Sequence, residues 1–349
     1  MEVLRKFRAF VSDPKGKVWW AKHSVGEILL LIRQRRLGAL ISYFIAAVTG
    51  WRVYDYYIDW IGKRNGMTIR REIRGNPMVL NLEDEGLSRD LFLYGVREQR
   101  GIQIFEQELK QIRDEVDNGL VLEIGANIGY FALMELEVLR DSAEVIAFEP
   151  DERNTKLLEQ NLELNGYRNR TTIERVAIGP ECGKAELELS THSNLNKIRA
   201  PSTSSWRYDT GESITVDMWS VDEYLTKQNH SPESVIAVRM DIEGLEVEVL
   251  QSLKPVLEAD GPLVLSLEVH ANLLDLEKTQ HLLDILDHHG FIVAGALTET
   301  ITIEPFVSPK DVDDIQDLSD CEMAYNLIVT KKSSTEKKPA EPLKASSSD

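Results

Sequence analysis

Two acidic residues, each at the end of an apolar run, are the residues of this sequence best placed to bind a nucleoside. Glu123 precedes a turn with glycines at Gly125 and Gly129, and Glu149 ends the next apolar run. Glycine has no Cβ, so the backbone can turn tightly beside a ligand. A helix beginning near Ile128 would point its free amide groups at that ligand. An acid at the end of the second strand can accept hydrogen bonds from both ribose hydroxyls. The pattern therefore predicts a nucleoside-binding β-α-β unit.

The glycine spacing indicates which nucleoside is bound. A dinucleotide site needs G-x-G-x-x-G so that the backbone can cradle a pyrophosphate. Here Asn127 lies where that pattern needs its middle glycine, and Glu123 would repel a pyrophosphate but suits an ammonium group. The E-x-G-x-N-x-G turn, followed later by an acid for the ribose, predicts S-adenosylmethionine. A nicotinamide cofactor, or an ordinary tight turn without a ligand, remains as an alternative.

The chain resembles the FkbM-type, class I S-adenosylmethionine-dependent methyltransferases. The resemblance is carried by three blocks, Val121–Phe131, Ala147–Asp151 running into Asn161–Gly166, and Val238–Glu246. The third block contains D-[VI]-E-G-x-E, which is not a general feature of methyltransferases. Residues 86–95 also resemble the segment that leads into that domain. One departure is Arg239, where the family often has lysine, and this change keeps the charge.

The alternation of apolar runs and helical patterns predicts an α/β fold: a doubly wound, seven-stranded, mostly parallel sheet with an N-terminal helical extension. Strands are expected near 120–124, 144–148, 171–178, 235–240, 262–268, 291–296 and 323–330, the last two as an antiparallel edge hairpin. Helices are expected near 128–139, 152–164, 244–257 and 274–289. The predicted domains are a basic helical region at 1–66, a methyltransferase domain at 67–330 with its core at 119–296, and a disordered tail at 331–349.

A short strand pair near 67–74 and 78–82 and a helix near 102–116 are expected before the core. The insert at about 180–234 is predicted to be a long functional loop, either a lid or a wall of the acceptor site.

Ligands of an open α/β sheet lie outside the carboxyl ends of its strands. The residues expected to bind the cofactor are Glu123, Gly125, Ala126, Asn127, Gly129, Phe131, Glu149, Pro150, Ala177 and Asp241.

Methyl transfer to a hydroxyl needs alignment of the acceptor and, usefully, a base for its proton. The catalytic candidates are Asp241, Glu243 and His270, all just after strands. Asp241 has the alternative of capping the following helix, and Glu243 that of a first-turn helix acid. His270 has the alternative of a hydrogen-bonded structural histidine. With Glu268 these residues could hold a divalent ion, but no tight spacing demands one, so no metal is predicted.

The charge distribution bears on partners and location. The net charge of −18 argues against nucleic-acid binding, and the only cysteines, Cys182 and Cys321, fit a reducing cytoplasm. Residues 1–75 carry 15 Lys and Arg against 6 Asp and Glu, whereas the rest carries 25 against 52. The uncharged 15-residue stretch Leu37–Trp51 is too short to span a bilayer. Residues 1–66 are therefore expected either to contact an anionic membrane surface peripherally or to dock on the acidic domain.

The resemblance implies the reaction, O-methylation of a sugar, glycolipid or other small hydroxyl acceptor. A catalytically inactive nucleoside-binding protein of the same fold and a nicotinamide-dependent oxidoreductase are the alternatives.

Overall fold

A computed structural model of the chain describes residues 53–199, 209–271, 273–297, 318 and 324–332, with side chains from Tyr57 onward. The expectations for the N-terminal 52 residues and for most of the tail therefore lie outside the described residues. So does the question of whether the basic arm binds a membrane. Among the helices of the described ranges, none is both long and apolar enough to cross a membrane.

The described helices and strands, numbered in chain order, alternate through most of the chain. The helices are α1 (Val53–Asn65), α2 (Leu87–Tyr94), α3 (Gln99–Arg113), α4 (Tyr130–Leu139), α5 (Glu152–Leu164), α6 (Val221–Gln228), α7 (Glu246–Ser252), α8 (Lys254–Glu258) and α9 (Leu276–His288). The strands are β1 (Thr68–Ile73), β2 (Asn76–Asn81), β3 (Gly119–Ile124), β4 (Ala143–Phe148), β5 (Thr171–Glu174), β6 (Ala177–Ile178), β7 (Gly183–Ser190), β8 (Lys197–Ile198), β9 (Asp209–Trp219), β10 (Val235–Met240), β11 (Leu263–His270), β12 (Ile292–Leu297) and β13 (Ala324–Lys331).

The main sheet has seven strands in the order β12-β13-β11-β10-β3-β4-β5. Strands β3, β4, β5, β10 and β11 pair in parallel, whereas β13 pairs antiparallel with both β11 and β12. The predicted seven-stranded, mostly parallel sheet with an antiparallel edge is confirmed. Strands β10 and β3 are parallel neighbours, with Val238 opposite Leu122, as the fold prediction requires.

Apolar cores on both faces of this sheet make the fold doubly wound. Every residue of β3 is buried, as expected of a central parallel strand. Val121 belongs to the core that includes Phe105 and Leu133, from α3 and α4. Leu122, one residue later, belongs to the core on the opposite face. Successive side chains at the end of each strand therefore point to opposite faces of the sheet.

The insert is not the long loop that was predicted. Strands β7, β8 and β9 of its described part join β6 in a second sheet, in the order β6-β9-β7-β8, and helix α6 follows β9. Residues 171–178, predicted as one strand, are divided between the sheets, because β5 ends at Glu174 and β6 begins at Ala177. The second sheet has its own small core, which includes Leu187 and Val216.

One predicted helix differs from the structure, and one predicted strand pair agrees with it. The helix expected at 244–257 is two helices, since α7 ends at Ser252 and α8 starts with a proline in its first turn. The strand pair predicted before the core is confirmed as the antiparallel pair β1 and β2.

Candidate active site

A cleft of about 890 Å³, partly open to solvent, lies at the carboxyl ends of β3, β4 and β10. It is lined by most of the residues predicted to bind a cofactor or to act in catalysis. These are Gly125, Ala126, Asn127, Phe131, Glu149, Pro150, Ala177, Asp241 and Glu243. Three predicted residues, Glu123, Gly129 and His270, are not among those lining it.

The turn after β3 has a backbone that only certain residues can adopt. Gly125 has φ 86°, and a Cβ there would lie 2.2 Å from the carbonyl oxygen of Asp241. The glycine is needed because the end of β10 passes against the turn. Gly129 has φ 87° and precedes α4, and a Cβ there would lie 2.7 Å from Leu158 Cδ1. Its role is thus in packing of the helix start, and it does not line the cleft.

Glu149 holds this turn in place from the next strand. Its Oε2 accepts a hydrogen bond from the backbone amide of Asn127 (2.8 Å), and its Oε1 accepts one from the backbone amide of Asp151 (2.8 Å). Burial raises the pKa of Glu149 to about 7, although these two hydrogen bonds oppose the shift. Two short bonds leave acceptor capacity on a carboxylate, which has about four lone-pair sites. The residue can therefore brace the turn and bind a ligand hydroxyl together.

A segment of the insert, residues 191–198, closes one side of the cleft. The backbone amide of Ser193 donates to Asp84 Oδ1 (2.7 Å). The side-chain Oγ of Ser193 accepts a hydrogen bond from Asn127 Nδ2 (3.2 Å). Asn196 Nδ2 donates to Asp151 Oδ2 (3.3 Å). The segment is thus tied both to the turn before α2 and to the side of the cleft formed by Asn127 and Asp151. Its role as a lid or acceptor wall stays a prediction.

Arg239 lines the cleft and joins two strand-end acids. Its Nη1 donates to Glu123 Oε1 (2.9 Å) and its Nη2 donates to Asp241 Oδ2 (2.8 Å). Its guanidinium carbon lies 3.5 Å from the centroid of the Phe131 ring, a cation–π contact. The expected contact between Glu123 and a ligand ammonium is wrong, because Glu123 is fully buried and its charge is engaged by Arg239.

A second buried acid, Glu135 of α4, lies against Glu123. Neither Glu135 oxygen, nor Oε2 of Glu123, has a hydrogen-bond donor in the structure if both groups are ionised. Burial, and then the negative charge of Glu123, raise the pKa of Glu135 well above its ordinary value. A protonated Glu135 can donate its hydroxyl to Glu123, which gives the Glu123 carboxylate a second donor beside Arg239. The pair therefore shares one proton in the folded protein.

This proton gives a prediction for Glu135→Gln. The folded pKa of Glu135 lies above the unfolded value of 4.5, so above pH 4.5 the folded state binds the proton more strongly. The free energy of unfolding therefore falls as pH rises from 4.5 toward the raised pKa, by at most about 1.4 kcal/mol per pH unit for one proton. We expect the variant, measured by urea unfolding from pH 5.5 to 8, to show a shallower fall.

Glu137→Gln is the matched control, since Glu137 is exposed on the same helix. It should keep the wild-type dependence on pH. Identical slopes in wild type and Glu135→Gln would contradict the shared proton.

The acids after β10 are not helix caps. Helix α7 begins at Glu246, and no side chain caps its amino end. Both helix alternatives, the cap for Asp241 and the first-turn acid for Glu243, are therefore wrong. Burial alone would raise the pKa of Asp241, but the charges of Arg239 and His270 outweigh it and hold that pKa below its usual range. Asp241 is thus an ionised carboxylate at the wall of the cleft.

His270 is buried between carboxylates. Its Nδ1 lies 2.6 Å from Glu246 Oε1, and its Nε2 lies 3.3 Å from Glu243 Oε1 and 3.6 Å from Glu268 Oε1. Burial would lower the pKa of His270, but hydrogen bonds to Glu243 and Glu246 outweigh it and raise that pKa well above its ordinary value. A base needs a neutral ring with a free lone pair. The structure therefore corrects the prediction that His270 acts as the base.

Residues 123–293 match the family model of the methyltransferase FkbM domain. The chain belongs to the FkbM methyltransferase family. The seven-stranded, mostly parallel fold described above is that of a methyltransferase.

Several solved structures of other proteins are similar to this methyltransferase at low sequence identity. An S-adenosylmethionine-dependent O-methyltransferase from Thermotoga maritima is 16% identical over 67% of this chain and 66% of its own, with a TM-score of 0.34. The M. jannaschii TYW2 in complex with AdoMet is 12% identical over 76% and 84%, at 0.37. An Agrobacterium tumefaciens enzyme is 9% identical over 76% and 70%, at 0.39. A search of curated proteins found no match.

Arg97 and Glu98 are among the cleft-lining residues of the methyltransferase that sequence reasoning missed. Arg97 Nε donates to Glu98 Oε1 (3.0 Å), and its Nη1 lies 3.5 Å from Asp90 Oδ2. Glu98 has φ 49°, an unusual backbone for a residue other than glycine. Segment 86–95, which resembles the lead-in of the family's domain, is the sequence signal that could have indicated these two residues, because it ends two positions before Arg97.

Proposed function

We propose that this enzyme binds S-adenosylmethionine in the cleft and transfers its methyl group to a hydroxyl of a sugar, glycolipid or similar polyol. The observation that carries the cofactor is the buried Glu149 carboxylate, which holds the Asn127 turn and keeps acceptor capacity for ribose hydroxyls. Apolar side chains beside it, Phe148 and Ile178, provide a surface for an adenine ring. When bound, the cofactor supplies an electrophilic methyl group on a sulfonium.

The opposite end of the cleft supports a polar acceptor. It is lined by Arg97, Glu98, Arg239, Asp241 and Glu243. Asp241 is ionised and fixed by Arg239, so it can accept a hydrogen bond from a hydroxyl or from the cofactor ammonium. A polyol can satisfy several such groups at once, whereas an apolar acceptor would leave them without partners. The chemistry of this end therefore favours a hydroxyl-rich acceptor.

The test is transfer of a labelled methyl group from S-adenosylmethionine to fractionated cell extract. We expect label in glycolipid or small-sugar fractions, and we expect it to survive mild alkali, because ethers resist hydrolysis that cleaves methyl esters. Glu149→Gln should label little, and Glu152→Gln, an exposed neighbour, should label as wild type does. Label confined to protein or nucleic acid would overturn the acceptor class.

A further inference from the structure

An acid–histidine cluster, defined as Asp241, Glu243, Glu268 and His270, lies at the carboxyl ends of β10 and β11. Asp241 and Glu243 also line the cleft. One ligand atom from each of Asp241, Glu268 and His270 lies within 4.8 Å of the other two. Ligands of Mg²⁺ or a similar small divalent ion lie about 2.0–2.2 Å from it, so opposite ligands are roughly 4.2 Å apart. The three atoms can therefore share one ion after small adjustments.

The orientation of His270 provides independent support. Glu246, which is fully buried and outside the cluster, fixes the ring by its 2.6 Å contact with Nδ1. The other nitrogen, Nε2, is aimed among the cluster carboxylates at 3.3 and 3.6 Å, without a comparably short contact. Histidines that bind metals usually donate the second ring N–H to a carboxylate in this way.

The balance of charge also calls for a cation. Five carboxylates surround His270 and Arg239, and the charge of Arg97 also acts on Asp241 and Glu268. The carboxylates are Glu123, Asp241, Glu243, Glu246 and Glu268. Buried carboxylates that lack a counter-charge are costly, and they are stabilised by protons or by a metal ion. A divalent ion held by the cluster would supply counter-charge to these carboxylates.

We propose that Asp241, Glu268 and His270 bind a divalent cation of the Mn²⁺ or Mg²⁺ class, which activates the acceptor hydroxyl. This role rests on the proposed function. The cation lowers the pKa of a bound hydroxyl, whose proton leaves to solvent through Glu243. The alkoxide oxygen then bonds to the methyl carbon as the carbon–sulfur bond breaks, and the sulfonium becomes a neutral thioether. The proposal explains how deprotonation proceeds although His270 is not free to act as a base.

The full chain is first treated with a chelator, which is then removed. It is titrated with Mn²⁺ alone, and the electron paramagnetic resonance signal of free Mn²⁺ measures how much of the ion is bound. We expect one site per chain in the wild type. Glu268→Gln and His270→Gln should weaken binding at least tenfold, and Glu277→Gln, an exposed control on α9, should leave it unchanged. Circular dichroism establishes which variants are folded, and the near-isosteric Glu268→Gln keeps the test decisive if His270→Gln unfolds.

Calorimetry with S-adenosylhomocysteine, the reaction product, separates this proposal from the proposed function. Wild-type protein that binds the product but not Mn²⁺ would overturn the metal site alone. Equal Mn²⁺ binding by wild type and both cluster variants would also overturn it. Failure to bind the product, with or without Mn²⁺, would count against the proposed function instead.

Discussion

Replacing Glu149 with alanine is expected to weaken binding of S-adenosylhomocysteine by about 10- to 150-fold, or ~1.5–3 kcal/mol, since a charge-assisted hydrogen bond to the ribose is lost. The loss also leaves the backbone amides of Asn127 and Asp151 without their acceptor, so the turn itself should loosen. Isothermal titration calorimetry measures the effect, and NAD serves as the ligand that should not bind. Unchanged affinity in the variant would rule out the ribose assignment.

The pKa of Glu149 adds a dependence on pH to the same experiment. Because that pKa is about 7 in the free enzyme, the group is largely protonated at pH 6. Ribose hydroxyls donate to the ionised form, so binding should release a proton at pH 6 and tighten as pH rises toward 7. Glu149→Gln cannot ionise and should lose this part of the dependence. Glu152→Gln should keep it.

Replacing Arg239 with methionine is expected to lower the free energy of unfolding by about 3–5 kcal/mol. Arg239 is 3% exposed and bonds both Glu123 and Asp241, so the variant buries two carboxylates without their cation. Urea unfolding monitored by circular dichroism measures the change. The expected effect is large because truncation of one partner of a buried ion pair costs more than the pair contributes.

Two further variants test the cause. Arg239→Lys keeps the charge but has no planar fork to reach both acids, so its loss should be smaller. Adding Glu123→Gln to Arg239→Met should recover part of the stability, since one of the stranded charges is removed. A methionine variant as stable as the wild type would contradict the account.

Local signals were sufficient for the elements with strong patterns. Strand β10 was predicted at its observed bounds because Val235–Met240 is an apolar run interrupted only by Arg239, and all six residues are buried in the structure. Helix α5 was predicted at Glu152–Leu164, where Asp151 caps the start by accepting from the amide of Arg153. Both signals lie within the element or next to it.

The insert carries a strand signal in the alternation of its apolar residues. Ala185, Leu187 and Leu189 of β7 alternate with polar residues, which is typical of a strand buried on one face. The division between β5 and β6 has no comparable local signal. It depends on which sheet each half joins.

The roles of Glu123 and His270 could not be predicted because their partners are distant in sequence. Glu123 lies on the same face of β3 as Val121 and therefore points toward α4. Its position near the end of the strand had instead predicted that it points into the cleft. Its cation, Arg239, is 116 residues away. The contact of His270 with Glu246 joins two elements whose relative placement follows from the sheet order.

The position of Arg239 opposite Glu123 favours the correct register between β10 and β3 during folding. These two residues are direct partners in the parallel ladder of β10 and β3, whose other paired positions are apolar. Apolar strands can slide along each other with similar burial, but a slip of one residue turns each side chain to the other face. A slipped pairing would place the guanidinium on the opposite face from Glu123, in an apolar core. The ion pair therefore penalises misaligned intermediates during folding.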